Sequence, residues 1–187
     1  MASGRRAVPR TAWRLVAFLA CLLLGATPPL AARGTYQTPE DFVAEAFGGE
    51  PPPAEKLWLR GDLQSTIEQI LGRPYGKLRL TYWLKADRSA WILEEIGKEE
   101  LITTGFVVGS GGIERVRVLI FRESRGFEVR YPAFTRQFEG AHLATDSKLD
   151  RHIDGISGAT LSVAALTKLA RLALLLHQHV TSPQTEP

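Results

Sequence analysis

A long apolar run near the C-terminus, from Leu161 to Leu176, constrains the fold more than any other part of the chain. Apolar residues occupy almost every side of the helix that it would form, and its only charged residues are Lys168 and Arg171. Such a helix is stable in water only when most of its surface is buried, and its charges make it too interrupted for a membrane span. We therefore predict a buried core helix from Leu161 to His179.

The middle of the chain has the pattern of antiparallel β-strands. Apolar and polar residues alternate from Lys77 to Ala86, as in a half-buried strand. Further strands, connected by short turns that require antiparallel order, are predicted at residues 89–96, 101–108 and 113–122, with 127–131 as a candidate fifth strand. A glycine-rich hairpin is predicted between residues 108 and 113.

Two short helices are predicted before the sheet. Thr38 followed by Pro39 favours a helix start, with the helix continuing to about Phe47. Asp62 is predicted to cap a second helix, which ends at Gly72. The predicted fold class is α+β: a mainly antiparallel sheet of about four to five strands, with a long C-terminal helix and N-terminal helices packed on it.

The first 32 residues have the features of a secretory signal peptide: a basic start, apolar residues 15–26 and small residues before Arg33. The apolar run falls short of the roughly 20 residues that span a bilayer. We therefore expect cleavage near Arg33, with an uncleaved membrane anchor as the alternative. Cys21 lies inside the apolar run, which argues against lipidation.

Charge and cysteine content exclude several functions once this leader is removed. The whole chain has 23 basic and 20 acidic residues, and the leader holds four arginines and no acid, which leaves 19 basic residues against 20 acidic ones. A nearly neutral domain does not favour a nucleic-acid partner. Cys21 is the only cysteine and leaves with the signal, so any redox chemistry must come from a bound cofactor.

The turn before the core helix reads Asp-Gly-Ile-Ser-Gly-Ala-Thr from Asp154 to Thr160. A turn of this kind leaves backbone N–H groups at the positive end of the helix dipole, which favours an anion such as phosphate. The alternative is an ordinary helix cap, since most such turns bind nothing.

Two further elements precede this turn. Glu-Ser-Arg-Gly from Glu123 to Gly126 follows the strongest predicted strand, and Phe134 to Gly140 reads Phe-Thr-Arg-Gln-Phe-Glu-Gly. Considered alone, the first would be a turn, and the two phenylalanines of the second, four residues apart, would form one face of a short core helix.

In this order, the three elements resemble those of the FMN-binding domain family: Glu-[Ser/Thr]-x-Gly, Phe-x-x-Gln-Phe-x-Gly, and Asp-x-x-[Ser/Thr]-Gly-Ala-Thr before a helix. The resemblance covers about Leu101 to Val180. The resulting domain prediction is a signal peptide at 1–32, a helical N-terminal segment at 33–76, an FMN-binding domain at 77–180 and a disordered tail at 181–187.

In that family a dedicated flavin transferase joins the last Thr of the motif, here Thr160, through its hydroxyl to the phosphate of FMN. The resemblance also implies that Asp154 takes part in recognition by the transferase, through the metal that accompanies the donor nucleotide. The other cofactor-binding residues predicted in this way are Gly155, Ser157, Gly158, Ala159, Glu123, Ser124 and Gly126. We expect the N–H groups of Gly158, Ala159 and Thr160 to stabilise the phosphate, and we predict no catalytic or metal-ligating residue.

Aromatic, acidic and histidine residues offer additional candidates. Four aromatic residues could stack on the flavin ring, although each is equally a core residue: Trp91, Tyr131, Phe134 and Phe138. Asp146, Asp150 and Asp154 have a spacing that invites a calcium site, but they lack the central Gly and terminal Glu of an EF-hand loop, so we expect a solvated loop. We expect surface positions for His142 and His152, and attribute His177 and His179 to the helix dipole.

The expected function is that of an exported electron-transfer protein with covalent FMN, similar to the flavin-carrying subunits of sodium-translocating NADH:quinone reductase and its relatives. The chain has no nicotinamide-binding glycine fingerprint and no nucleophile with an obvious base, which favours a carrier over a stand-alone enzyme. Its expected partners are the flavin transferase and a membrane or periplasmic electron donor and acceptor. Two alternatives stay open: a non-covalent FMN module or small flavin reductase, and an exported structural or interaction domain without a cofactor.

Overall fold

The alternating and apolar segments in the middle of the chain form the centre of a six-stranded antiparallel sheet. The structure is a computed structural model that describes residues 34–182, so the predicted signal peptide and residues 183–187 lie outside the described part. The strands are β1 (Gly34–Thr35), β2 (Ala54–Trp58), β3 (Arg79–Lys85), β4 (Arg88–Ile96), β5 (Leu101–Gly109) and β6 (Gly112–Phe121). The helices are α1 (Pro39–Ala46), α2 (Gly61–Leu71), α3 (Pro132–Thr135) and α4 (Thr160–Thr181).

The strand order is β1-β6-β5-β4-β3-β2. Strands β3 to β6 are successive neighbours because short turns connect them, and the predicted hairpin between β5 and β6 is confirmed by the pairing of Gly109 with Gly112. The α+β class is confirmed, but six strands replace the four to five that we predicted. The two edge strands were missed because β1 is two residues long and β2 is largely exposed, without an alternating apolar pattern.

The candidate fifth strand at residues 127–131 was a wrong prediction. Residues Phe127–Arg130 form a 3-10 helix that follows Gly126, whose φ of 82° turns the chain away from the direction of β6. The sheet edge beside β6 is already occupied by β1. Both the turn and the occupied edge prevent this segment from adding a strand.

The long C-terminal helix packs on one face of the sheet, across β4 and β5. Leu166, Leu169, Leu172 and Leu176 of α4 are fully buried, which confirms the prediction of a core helix. Within residues 34–182, α4 is long and apolar enough to cross a membrane, but 56% of its most apolar window is buried inside the protein. Its hydrophobicity is therefore explained by the core.

The two N-terminal helices form as predicted and bury their apolar sides. Helix α1 lies on the sheet face opposite α4, and α2 contributes Leu63, Ile67 and Ile70 to the core that contains α4. The predicted cap of α2 was wrong, because the helix starts two residues earlier than a cap at Asp62 would give. Arg60 is its N-cap, without a side-chain hydrogen bond, and Asp62 lies in the first turn.

The contact between α1 and the sheet depends on a residue without a side chain. A Cβ atom on Gly105 of β5 would lie 2.6 Å from the ring of Phe42 in α1. Phe42 is fully buried against Ala90 and Val107 and has little room to move. The Phe42 ring therefore rests directly on the backbone of β5.

Replacing Gly105 with Ala should lower the free energy of unfolding by about 1–3 kcal/mol, because the added methyl group overpacks the contact with Phe42. Urea unfolding followed by circular dichroism would measure the change. Gly111→Ala is the matched control, since a Cβ atom there meets no atom within 4 Å. A similar stability for both variants would contradict the proposed packing.

Candidate functional site

The N-terminus of α4 and the segment that follows β6 face each other across an open cleft of about 570 Å³. Residues 123–125 line one side, residues 158–162 line the other, and Lys98 from the β4–β5 turn completes the lining. The fold thus brings together two elements that are more than 30 residues apart in sequence. Of the predicted site residues, Glu123, Ser124, Gly158, Ala159 and Thr160 line this cleft.

The remaining predicted site residues do not line the cleft. Gly126 packs behind it, where a Cβ atom would lie 2.6 Å from Oγ of Ser162, and its φ of 82° also favours glycine. Asp154, Gly155 and Ser157 are exposed and do not belong to the cleft lining.

The start of α4 has backbone donors without helical acceptors. The first helical hydrogen bond runs from the Val163 N–H to the Ala159 carbonyl, at 2.9 Å. The N–H groups of Thr160, Leu161 and Ser162 therefore have no partner within the helix. The N-cap residue is Ala159, which makes no capping hydrogen bond through its side chain. The expected donor set needs one correction, because the Ala159 N–H already donates to the Ile156 carbonyl at 2.9 Å.

Two cationic side chains add to the positive potential of this helix end. Lys98 lies in the cleft and forms an exposed ion pair with Glu99, with 3.1 Å between Nζ and Oε1. Arg125 is exposed in the same cleft, and no ion pair of this arginine occurs among the described residues. The helix dipole and these two cations together favour an anion.

The buried carboxylate of Glu123 holds the β4–β5 turn beside the cleft. Its Oε1 accepts hydrogen bonds from the N–H groups of Glu99 at 2.8 Å, Glu100 at 3.0 Å and Lys98. Burial alone would raise the pKa of Glu123, but these three donors and the charge of Lys98 together lower it below its ordinary value. A Cβ atom on Gly97 would lie 2.7 Å from the same Oε1, so the turn also needs glycine there.

The Phe-Thr-Arg-Gln-Phe-Glu-Gly element, residues 134–140, contacts the start of the Asp154–Thr160 motif. Gln137 accepts a hydrogen bond from the Asp154 N–H at 2.7 Å, and so ties this element to the start of the motif. Phe134 and Phe138 are buried and meet edge to face, with 5.6 Å between their ring centroids. Sequence reasoning missed the role of Gln137, although its position within the element was the available signal.

The aromatic candidates for stacking on a flavin do not line the cleft. Trp91 is fully buried and stacks on Tyr82 at 5.1 Å, and Phe134 and Phe138 are core residues. Tyr131 is 43% exposed but lines a different cavity. Their burial is set by packing between distant elements, which the local sequence does not reveal.

The acidic loop before the motif uses its carboxylates locally. Asp146 pairs with Lys148, and Asp150 pairs with His142, with 3.3 Å between its Oδ2 and Nδ1 of the histidine. No group of three or more His, Cys, Asp or Glu side chains that could hold a metal ion occurs within residues 34–182.

His177 has a structural role that the helix dipole does not explain. Its Nδ1 lies 2.8 Å from Oγ of Ser89, which also accepts a hydrogen bond from the indole of Trp91 at 2.8 Å. The Ser89 hydroxyl thus bonds both side chains, and burial lowers the pKa of His177. This network fixes the C-terminal part of α4 to the start of β4.

Comparison with protein-family models matches residues 97–175 to the FMN-binding domain. The matched region begins at Gly97 beside Glu123, contains both sides of the cleft and extends through most of α4. No curated protein matches the chain.

Replacing Glu123 with Gln should reduce the free energy of unfolding at pH 7 by about 1–3 kcal/mol, because the three N–H donors lose a charged acceptor. The folded-state pKa of Glu123 lies below its ordinary value of 4.5. The carboxylate therefore stabilises the fold fully above the unfolded-state pKa, and the stabilisation is lost as pH falls through the folded-state pKa.

Urea unfolding between pH 7 and pH 3 should accordingly show a weaker acid dependence for Glu123→Gln than for the parent. Glu99→Gln is the matched control, since this glutamate lies on the same turn with an exposed side chain. An equal acid dependence of Glu123→Gln and the parent would refute the proposed role of the carboxylate.

Proposed function

We propose, from the FMN-binding domain that the chain carries at residues 97–175, that the protein is an exported electron carrier whose FMN is attached covalently to Thr160. The observation that carries this proposal is the uncapped start of α4, which presents Thr160 and free N–H donors to a cationic cleft. Attachment would be through a phosphoester of the Thr160 hydroxyl.

The absence of a side-chain cap argues against an ordinary helix cap. A capping residue would accept hydrogen bonds from the first free N–H groups of α4, but Ala159 has no side-chain acceptor. Thr160 is exposed at the first position of the helix, and its hydroxyl makes no hydrogen bond among the described residues. Both the donors and the hydroxyl are therefore available to a ligand in the cleft.

The residues of the cleft fit a phosphate group. A phosphodiester keeps one negative charge, which the N–H groups of Thr160, Leu161 and Ser162 can stabilise together with Lys98 and Arg125. In the coupling step, the Thr160 Oγ1–P bond forms and the P–O bond to the leaving nucleotide of a flavin dinucleotide breaks. The hydroxyl proton is released, and no atom is oxidised or reduced.

Bound FMN would supply one- and two-electron redox chemistry, for which the described residues offer no group of their own. Leu161, which is 52% exposed, is the largest apolar side chain in the cleft lining, and no aromatic side chain from residues 34–182 covers that space. A site that leaves the flavin ring uncovered favours exchange of electrons with a partner over chemistry on an enclosed substrate.

Exposed hydrophobic residues at the end of the sheet that carries the β4–β5 turn support docking of a redox partner protein there. Trp58 ends β2, and Ile96 pairs with Leu101 where β4 and β5 meet. With Leu78 and Leu161, these are five of the six large hydrophobic residues exposed in the described part of the chain. The strand register puts Trp58, Ile96 and Leu101 at the same end of the sheet as the β4–β5 turn. We propose that the electron donor and acceptor approach from this side.

Export gives a reason for a covalent link. Residues 1–32 have the pattern of a signal peptide, and we propose a periplasmic or otherwise extracytoplasmic location, with a flavin transferase as the obligatory partner. Outside the cytoplasm, no pool of free FMN would replace a cofactor that dissociates. A phosphoester to Thr160 would substitute for tight reversible binding.

The intact mass of the denatured protein, produced in a host that carries a flavin transferase, tests this proposal. We expect an added mass of FMN minus water, roughly 440 Da, in the parent and no added mass in Thr160→Ala. Thr167→Ala is the matched control, because its hydroxyl bonds the Val163 carbonyl on the same helix, outside the cleft. It should carry the added mass.

Each other outcome would identify an alternative. Yellow colour that denaturant releases, without added mass, would identify a non-covalent FMN protein or a small flavin reductase. A colourless protein of unchanged mass would refute the flavin proposal and favour a structural domain. Added mass in Thr160→Ala would place the attachment at another residue.

A further inference from the structure

A second cavity, of about 310 Å³, lies beside the β1–β6 edge of the sheet and shares no lining residue with the cleft. Its volume is within the range of small-molecule sites. Arg117 of β6 and Arg130 of the 3-10 helix after Gly126 both line it, together with Tyr36, Gln37, Glu45 and Tyr131.

Arg117 has no counter-ion among the described residues. No hydrogen bond or ion pair joins its guanidinium to another residue in that part of the chain, and its Nε is buried without an acceptor. A buried donor without an acceptor costs free energy. An arginine that lines a cavity and lacks an acceptor for a buried N–H group is a candidate for binding a ligand.

Arg130 likewise lacks an acidic partner among the described residues. Its Nε is also buried without an acceptor, and among the described residues Nη2 donates only a long hydrogen bond, of 3.3 Å, to the Tyr131 hydroxyl. Its guanidinium lies over the rings of Tyr36 and Tyr131, at 4.4 and 4.8 Å from their centroids. These rings hold the guanidinium in position, but they do not neutralise its charge.

The one acidic residue in the cavity lining is already engaged elsewhere. Oε1 of Glu45 accepts from Arg115 at 2.6 Å, and its Oε2 accepts from the Gln37 side chain at 2.9 Å. Outside residues 34–182, the sequence contains a single acid, Glu186. Within residues 34–182, two guanidinium groups thus share a partly desolvated cavity and neither has a carboxylate partner.

We propose that this cavity binds a small oxyanion, a carboxylate- or phosphate-bearing molecule, between Arg117 and Arg130. Guanidinium groups bind carboxylate and phosphate through paired N–H donors, so one such ligand would supply both missing acceptors and relieve the repulsion. The tyrosine rings give the cavity an apolar wall that an aromatic or aliphatic part of the ligand can contact. This site does not depend on FMN in the cleft.

Isothermal titration calorimetry tests the proposal. The purified protein is titrated with sodium phosphate and, separately, with sodium benzoate, and sodium chloride at equal ionic strength is the reference. We expect saturable binding of at least one of the two, and the preferred one identifies the ligand as phosphate- or carboxylate-bearing. Arg117→Gln should weaken that binding at least tenfold.

Arg79→Gln is the matched control, because it removes the same charge from an exposed strand position that does not line the cavity. It should bind as the parent does. Arg130→Lys, which keeps the charge but not the paired donors, is a second variant should Arg117→Gln fold poorly, and it should also weaken binding. Absence of saturable binding for both anions, or unchanged affinity in both cavity variants, would overturn the proposal.

Discussion

The burial of α4 against the sheet is the constraint on which the rest of the structure depends. A helix that is apolar on nearly every side must be covered along its length, so its two ends are fixed relative to the strands. The C-terminal end is held by the bond between His177 and Ser89, at 2.8 Å. The N-terminal end packs against Gly126, where a Cβ atom would lie only 2.6 Å from Oγ of Ser162 in α4. The position of the cleft therefore follows from the packing of the core.

A second contact, at Glu123, determines what the cleft contains. Its carboxylate binds three N–H groups of a turn that lies about 25 residues earlier in the chain. The carboxylate is buried and loses hydration, which three donors in one turn offset. Lys98 belongs to this turn and thereby lies opposite Thr160. Glu123 thus contributes to the positive potential of the cleft indirectly, by holding a cation there.

Local sequence patterns predict single elements of this fold, whereas contacts between distant residues leave no such pattern. Helix α4 and strands β3 to β6 could be predicted because hydrophobic periodicity reports burial along one element. Strand β2 could not, because its residues are mostly exposed and its pairing with β3 depends on register. The motif residues Glu123 and Thr160 were predicted from their neighbours in sequence. Lys98 was missed because its position depends on a turn folded over a distant carboxylate.

The net charge of this protein does not indicate where anions would bind. The segment after the predicted leader is almost neutral, yet the electrostatic potential at a site depends on which charges are paired. Most of the cations that form ion pairs within residues 34–182 lie at the surface beside carboxylates. Arg117, Arg125 and Arg130 lack such partners among the described residues and line either the cleft or the second cavity. A nearly balanced composition therefore does not reveal these two local groups of cations, at which we propose that anions bind.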